Sequence, residues 1–248
     1  MKKNIYDVII IGLGAMGSAA SYYLSKNGVK VLGLDTYEPP HKLGSSHGHT
    51  RVIREAYHEG TSYVPIVKRA YELWNELDHE IEDKLILEYG GMYLGDDGKY
   101  LSDAKKSAKK YDIPIKEFSS KEIKEKYNIL NPPNNFKGLL ENRSGAVFPE
   151  KAISNFLSKS INNGSSHNYN EKVIGWGKQS KFYKVETDKN NYFAEKLIFS
   201  SGAWIKNLVP SLKLPVKIER QVLFWFDPIK DKDRFHYSNM PNTGWDLD

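Results

Sequence analysis

The 248-residue chain contains no cysteine, which excludes disulfides, thiolate metal ligands and cysteine nucleophiles from its chemistry. It has no run approaching the ~20 apolar residues of a membrane span. The apolar residues that follow Met1-Lys2-Lys3 are interrupted by Asp7 and stop at Gly12, too soon for a secretory leader. Low-complexity tracts and internal repeats with a period of about 20 to 50 residues are also missing, so a globular chain is the expectation. Charge of one sign is scarce: 36 basic against 31 acidic residues leave a formal +5, and the two kinds are interleaved. The densest basic patch, Lys105-Lys106 with Lys109-Lys110, has the pattern of a solvated helix face, so nucleic acid is a poor partner. These absences lead us to expect a soluble, cytoplasmic protein with no metal site, no nucleic-acid partner and no membrane association.

The stretch Tyr6 to Gly17 reads as a buried strand turning directly into a helix. Val8 to Ile11 form an unbroken apolar run, as a central parallel strand covered on both faces requires. Gly12, Gly14 and Gly17 follow in G-x-G-x-x-G spacing. The first permits a tight turn, the second lets a pyrophosphate approach the backbone, and the third lets the helix pack on the strand. The helix N-terminus would add N–H groups and a positive dipole end. Met16, Ala20, Tyr23 and Leu24 share one helical face, and Gly28 sits where a left-handed C-cap belongs. A second strand from Val29 to Leu34 ends in Asp35, 18 residues beyond Gly17, near the ~20-residue offset at which an acidic side chain accepts a ribose hydroxyl. A βαβ unit without a ligand would leave Asp35 unexplained.

After Glu38-Pro39-Pro40-His41 leaves the sheet, Gly44 to Arg54 gathers hydroxyls, two histidines and two arginines. Ser45, Ser46 and Thr50 are residue types that bond phosphates or open a helix, and Arg51 and Arg54 would share one helical face. A capped surface helix with solvated arginines is the bland alternative. Two arginines and His47 after a dinucleotide fingerprint more naturally surround an anion or a redox ring. Further on, Pro65 opens a helix whose stripe Val67, Ala70, Tyr71, Trp74, Leu77 and Ile81 is core. Residues 85–95 read as a strand pair turning at Gly90-Gly91, Asp96 to Gly98 as a turn, and Ser102 to Lys110 as a polar helix. Ser119 to Glu122 is a capping box. Pro149 to Asn163 reads as a helix with Ile153, Phe156, Leu157 and Ile161 inward, and 182–193 as a hairpin across Asn190-Asn191. Lys196 to Trp204 is a strand turning at Gly202, where small residues suggest further backbone contact with the ligand. Lys217 to Phe226 is expected to be a long strand carrying Arg220 and Gln221.

Taken together, Gly12-x-Gly-x-x-Gly17, Asp35, Pro39-Pro40-His41, the Gly44 to Arg54 string, Tyr63-Val64-Pro65, Ser144-Gly145, Gly202-Ala203-Trp204 and Arg220-Gln221 resemble the flavin-dependent amine oxidase family of sarcosine oxidase and N-methyltryptophan oxidase, in the D-amino-acid-oxidase fold group. The likeness covers nearly the whole chain, and the His47 to Arg54 string is more specific than the glycines. It implies an α/β fold: a discontinuous FAD-binding, Rossmann-like domain of the glutathione-reductase type from 1–84 and 143–216, and an α+β substrate domain on a mixed or antiparallel sheet from 85–142 and 217–248.

The resemblance also implies FAD as cofactor, with Gly12, Gly14, Met16 and Gly17 at the turn, Asp35 on the adenosine ribose, and Ser45, Ser46 and Thr50 along the pyrophosphate and ribityl chain. Val173 would lie near the adenine, and Gly202 and Trp204 would complete the cofactor site. Arg51 and His47 would stand at the flavin ring and Arg54 on the substrate carboxylate. The implied reaction takes an N-methyl amino acid and oxygen to formaldehyde, the free amino acid and hydrogen peroxide, in a monomer. Family members continue past residue 248, and their later segment carries the flavin-tethering cysteine and two functional lysines. A C-terminally truncated chain, weakly active or inactive alone and holding any flavin non-covalently, is therefore expected. Two alternatives stand beside the oxidase: a non-catalytic flavin-binding remnant, and a nicotinamide-dependent dehydrogenase, which would leave residues 44–54 without a role.

Overall fold

The computed structural model describes residues 5–247. In chain order it contains β1 (Ile5–Ile11), α1 (Ala15–Lys26), β2 (Val31–Leu34), β3 (Arg51–Ile53), α2 (Val64–Ile81), β4 (Ile86–Glu88), β5 (Gly91–Gly95), α3 (Lys99–Lys110), β6 (Ile115–Ser119), α4 (Ser120–Lys126), β7 (Lys137–Glu141), β8 (Gly145–Val147) and α5 (Pro149–Asn162). Then follow β9 (Ser166–Asn168), β10 (Val173–Gln179), β11 (Phe182–Thr187), β12 (Asn191–Phe199), α6 (Ile205–Leu208) and β13 (Asn242–Trp245). The chain forms two compact units, Met1–His49 with Phe148–Val222 and Thr50–Val147 with Leu223–Asp248. Residues 50–84, grouped with the nucleotide-binding part on sequence, thus fall in the second unit, because β3 pairs with β8 and β8 with β4.

In the first unit a six-stranded sheet runs β10-β11-β12-β1-β2-β9. β1 lies between β12 and β2 and is parallel to both. Its apolar run is unbroken because both faces are covered. Ile9 and Ile11 pack with Leu32, Leu34, Val173 and Val185 on one side, Val8 and Ile10 with Leu13, Val31, Ile153 and Leu157 on the other. β11 and β12 form the expected hairpin, Glu186 opposite Asn191. The Lys196 segment is no separate strand but the continuation of β12, which carries the hairpin edge directly alongside β1.

Two faces differ from the pattern read in the sequence. On α1 the buried side is Gly17, Ser18, Ser21, Tyr22 and Ser25, while Met16 is 75% exposed. On α5, Ser160 is buried and Ile161 faces out. Small side chains let the two helices approach closely, so that Ser21 Oγ and Ser160 Oγ are 2.6 Å apart. Helix α1 ends in a left-handed Gly28, with Val29 N–H donating to the Leu24 carbonyl and Gly28 N–H to that of Ser25.

The second unit holds a four-stranded mixed sheet, β13-β5-β7-β6, and a three-stranded antiparallel sheet, β3-β8-β4. β5 is buried on both faces: Tyr93 meets the α3 side with Leu101, Ala104 and Ala108, and Met92 and Leu94 meet Phe118, Ile123 and Leu130. β4 and β5 do not pair with each other as expected. The N–H groups of Tyr89 and Gly90 both donate to the Ser144 carbonyl, and the chain changes sheets there. The capping box at Ser119 and Glu122 is present in full. The strand expected over Lys217 to Phe226 does not form: this stretch finds no ladder partner, and Phe224 and Phe226 are 73% and 87% exposed.

Candidate functional site

At the end of β1 the backbone of Gly12 takes φ 97°, and a Cβ there would stand 2.6 Å from the Ser200 carbonyl oxygen. At Gly17 a Cβ would fall 1.8 Å from the Gly12 oxygen. Both positions admit only glycine. The turn is tied from three sides. Gly12 N–H donates to the Leu34 carbonyl at 2.8 Å, the Ser200 hydroxyl donates to the Gly12 carbonyl at 2.7 Å, and Leu13 N–H donates to Asp35 Oδ2 at 2.7 Å.

The other Asp35 oxygen accepts the Tyr37 N–H at 3.0 Å. This nearly buried carboxylate therefore has a structural task that the sequence reading did not foresee. Ser46 reaches the start of α1, where its hydroxyl accepts the Ala15 N–H at 3.1 Å. A Cβ on Gly14 would come within 3.2 Å of the same oxygen. The first turn of α1 carries no acidic residue and Gly14 at its N-cap no side chain, so no carboxylate in that turn offsets its positive end.

Around this turn the structure gathers Gly12, Gly14, Gly17, Asp35 and Ser46. Val173 opens β10 in the core beneath it, and Glu171 N–H donates to the Asp35 carbonyl at 3.0 Å. In the following loop, His47 Nδ1–H donates to the Gly44 carbonyl at 2.7 Å. Gly48, at φ 109°, donates its N–H to Glu150 at 2.7 Å. Ser45 and Met16 are exposed, and Trp204 is partly so, one 3-10 turn past the left-handed Gly202. Sequence reasoning missed Ser200 and Ser201. The Ser201 hydroxyl oxygen is buried and has no hydrogen-bond partner among the described residues.

The remaining predicted residues belong to the second unit. Arg51 and Arg54 do not share a helical face, because Arg51–Ile53 is a strand paired antiparallel with Gly145–Val147. β-Branched Val52 and Ile53 favour it, and on the other edge of the partner strand Gly145 admits β4: a Cβ there would lie 1.8 Å from the Leu87 carbonyl oxygen. Arg51 donates to the Thr50 carbonyl at 2.8 Å, and Thr50 is exposed. Arg54 lies just past the strand, with its guanidinium 4.7 Å over the Tyr57 ring and one nitrogen bonded to Glu59.

Burial works against the Arg54 charge, but Tyr93 and Glu59 outweigh it and hold its pKa above the ordinary value. Glu59 is likewise disfavoured by burial, and its own N–H and Arg54 reverse this, so that its carboxyl titrates low. His58, 3.4 Å from the second Glu59 oxygen and with its ring tilted against that of Tyr100 at 4.5 Å, is pushed down by burial. Fully buried Glu141 accepts the N–H groups of Glu55 and Ala56 at 2.7 and 2.8 Å, which fixes the turn after Arg54. Burial raises the Glu141 carboxyl in spite of these bonds. Glu59 and Glu141 had no signal in the sequence beyond their charge. Among the described residues no helix is long and apolar enough to cross a membrane.

The chain matches the pattern of the FAD dependent oxidoreductase family over residues 7–248. It is 36% identical over 242 residues to monomeric sarcosine oxidase of Streptomyces avermitilis, covering 97% of this chain and 63% of that protein. It is 37% identical over 221 residues to N-methyl-L-tryptophan oxidase of Yersinia pestis, covering 89% and 59%. The chain thus spans about three fifths of the length of these relatives. Among solved structures, NikD, an amino acid oxidase of nikkomycin biosynthesis, superimposes with a TM-score of 0.76 at 22% identity over 84% of this chain and 54% of that one. L-proline dehydrogenase from P. horikoshii gives 0.74 at 21% identity over 88% and 58%. At these identities the superpositions establish the fold alone.

Proposed function

The chain belongs to the FAD dependent oxidoreductase family, and from that premise we propose that the protein carrying this sequence is an FAD-dependent oxidase of N-methyl amino acids, yielding formaldehyde, the free amino acid and hydrogen peroxide. The observation that carries this reading is the 36–37% identity to enzymes named sarcosine oxidase and N-methyl-L-tryptophan oxidase.

The residues of the first unit fit a dinucleotide. Gly12, Gly14 and Gly17 with the start of α1 would take the pyrophosphate, and Gly14 marks the place where a side chain would intrude. Ser45 and Ser46 would follow the phosphates toward the ribityl chain together with Thr50. Asp35 would accept a ribose hydroxyl on lone pairs that Leu13 and Tyr37 leave over, since a carboxylate offers about four acceptor sites. Val173 would border the adenine, with Met16, Gly202 and Trp204 along the cofactor.

When bound, the flavin supplies the oxidising centre, accepting a hydride equivalent from the N-methyl carbon. Arg51 and His47 would place positive charge and a hydrogen-bonding ring beside it. Arg54 would take the substrate carboxylate. Glu59 helps to keep the Arg54 guanidinium ionised and holds one of its terminal nitrogens, while the Arg54 Nε is buried without a partner among the described residues, a donor that a bound carboxylate would satisfy.

The test is anaerobic mixing of the FAD-loaded protein with sarcosine or N-methyl-L-tryptophan. Bleaching of the flavin absorbance, followed by peroxide on admitting air, is expected. A flavin that stays oxidised with both amines but bleaches with a primary or cyclic amino acid would replace the substrate class.

A further inference from the structure

We propose that Ser201 is a cofactor-positioning residue whose hydroxyl hydrogen-bonds FAD beside the Gly12 turn. The inference rests on the reading that this turn holds the dinucleotide. Two adjacent serines follow β12, and they behave differently. The Ser200 hydroxyl donates to the Gly12 carbonyl at 2.7 Å and so closes the turn from inside the protein. The Ser201 hydroxyl oxygen is buried and finds no partner among the described residues.

The Ser201 carbonyl is already engaged, accepting the Trp204 N–H at 3.1 Å. A buried hydroxyl without a partner is destabilising, and alanine at that place would avoid the cost. Its location supports the inference: the Ser201 Cα lies 2.9 Å from where a Gly12 Cβ would stand, so the residue packs directly against the glycine turn. The residue as a whole is half-buried, so rotation about χ1 between staggered positions can carry the oxygen to the surface of the turn. There it can donate to a phosphate or ribose oxygen.

The experiment compares the parent chain with Ser201→Ala, Ser201→Thr and Gly14→Val, each titrated as apoprotein with FAD by flavin fluorescence and melted without FAD. Ser201→Ala should raise the dissociation constant roughly fivefold for a bond to a ribose oxygen, and more for one to a phosphate. Its apoprotein melting temperature should stay level or rise, because no internal bond is lost. Ser201→Thr, which keeps the hydroxyl, should bind close to the parent. Parent-like FAD affinity in Ser201→Ala overturns the inference, as does a fall in its apoprotein melting temperature that matches the loss of affinity. Failure of the underlying reading looks different: either the parent binds no FAD, or Gly14→Val binds as well as the parent, and the inference falls with it.

Discussion

The Asp35 carboxylate holds the backbone N–H of Leu13 at 2.7 Å, so the acidic end of β2 is fastened to the glycine turn whether or not a nucleotide is present. An acidic residue at this offset is usually explained by the ribose alone. Here it also satisfies a buried donor, and the two tasks predict different losses.

Asp35→Ala should therefore reduce stability as well as FAD affinity. Leaving the N–H of fully buried Leu13 unpaired should cost about 1 to 3 kcal/mol in urea unfolding of the apoprotein. A variant that unfolds like the parent but binds FAD weakly would mean that the Leu13 bond adds nothing.

Gly14→Val and Gly17→Ala should separate binding from folding. At Gly14 the nearest obstacle is the tip of the Ser46 side chain at 3.2 Å, which can move, so the fold should survive while FAD binding weakens by about tenfold or more. At Gly17 the obstacle is the Gly12 carbonyl, 1.8 Å from the added Cβ, so α1 must shift off β1. Gly17→Ala should lower the melting temperature of the apoprotein or prevent its recovery in soluble form. Equal behaviour of the two variants in both measurements would undo this division.

The βαβ unit was legible because its signals are local. The apolar run, the three glycines, Gly28 and Asp35 each determine the conformation of their own few residues. The same holds for the capping box at Ser119. What misled was structure decided at a distance. Arg51 and Arg54 have helical spacing and capping residues before them, but Gly145–Val147, far along the chain, provide the backbone against which Arg51–Ile53 lies as a strand. The glycine pair at 90–91 reads as a hairpin turn, yet the Ser144 carbonyl captures the N–H groups of Tyr89 and Gly90 and divides the strands between two sheets. The apolar pattern of 217–226 reads as a strand, and pairing depends on a partner that the pattern itself does not name. Ser201 followed an apolar run as an ordinary small residue, and only the packing against Gly12 makes its hydroxyl conspicuous.

Arg54→Ala should raise the apparent KM for an N-methyl amino acid far more than for an amine lacking the carboxylate, in the active protein. A lost charge-assisted contact of about 1.5 to 3 kcal/mol corresponds to roughly a ten- to hundredfold change. Arg51→Ala should instead slow flavin reduction with both amines, as measured by stopped-flow absorbance. Identical effects of the two substitutions on both amines would show the roles to be misassigned.

Stability should depend on pH through the buried polar contact between α1, α5 and β9. His167 lies with Nε2 2.9 Å from Ser21 Oγ and Nδ1 3.2 Å from the Tyr169 hydroxyl. Hydroxyls, not carboxylates, are its partners, so nothing there rewards a positive ring, and burial pushes its pKa down to about 4. In the unfolded chain the same imidazole titrates near about 6.5. As pH falls below that value the unfolded state takes up a proton that the folded state refuses. The stability that His167 contributes is thus complete above about pH 6.5, is lost progressively toward pH 4, and changes no further once both states are protonated. Other groups titrate over the same range, so the informative quantity is a difference between proteins. Urea midpoints measured at about pH 7 and about pH 5 should fall further for the parent than for His167→Gln, which keeps polar contacts but cannot take up the proton. Equal falls would place the acid sensitivity elsewhere in the molecule.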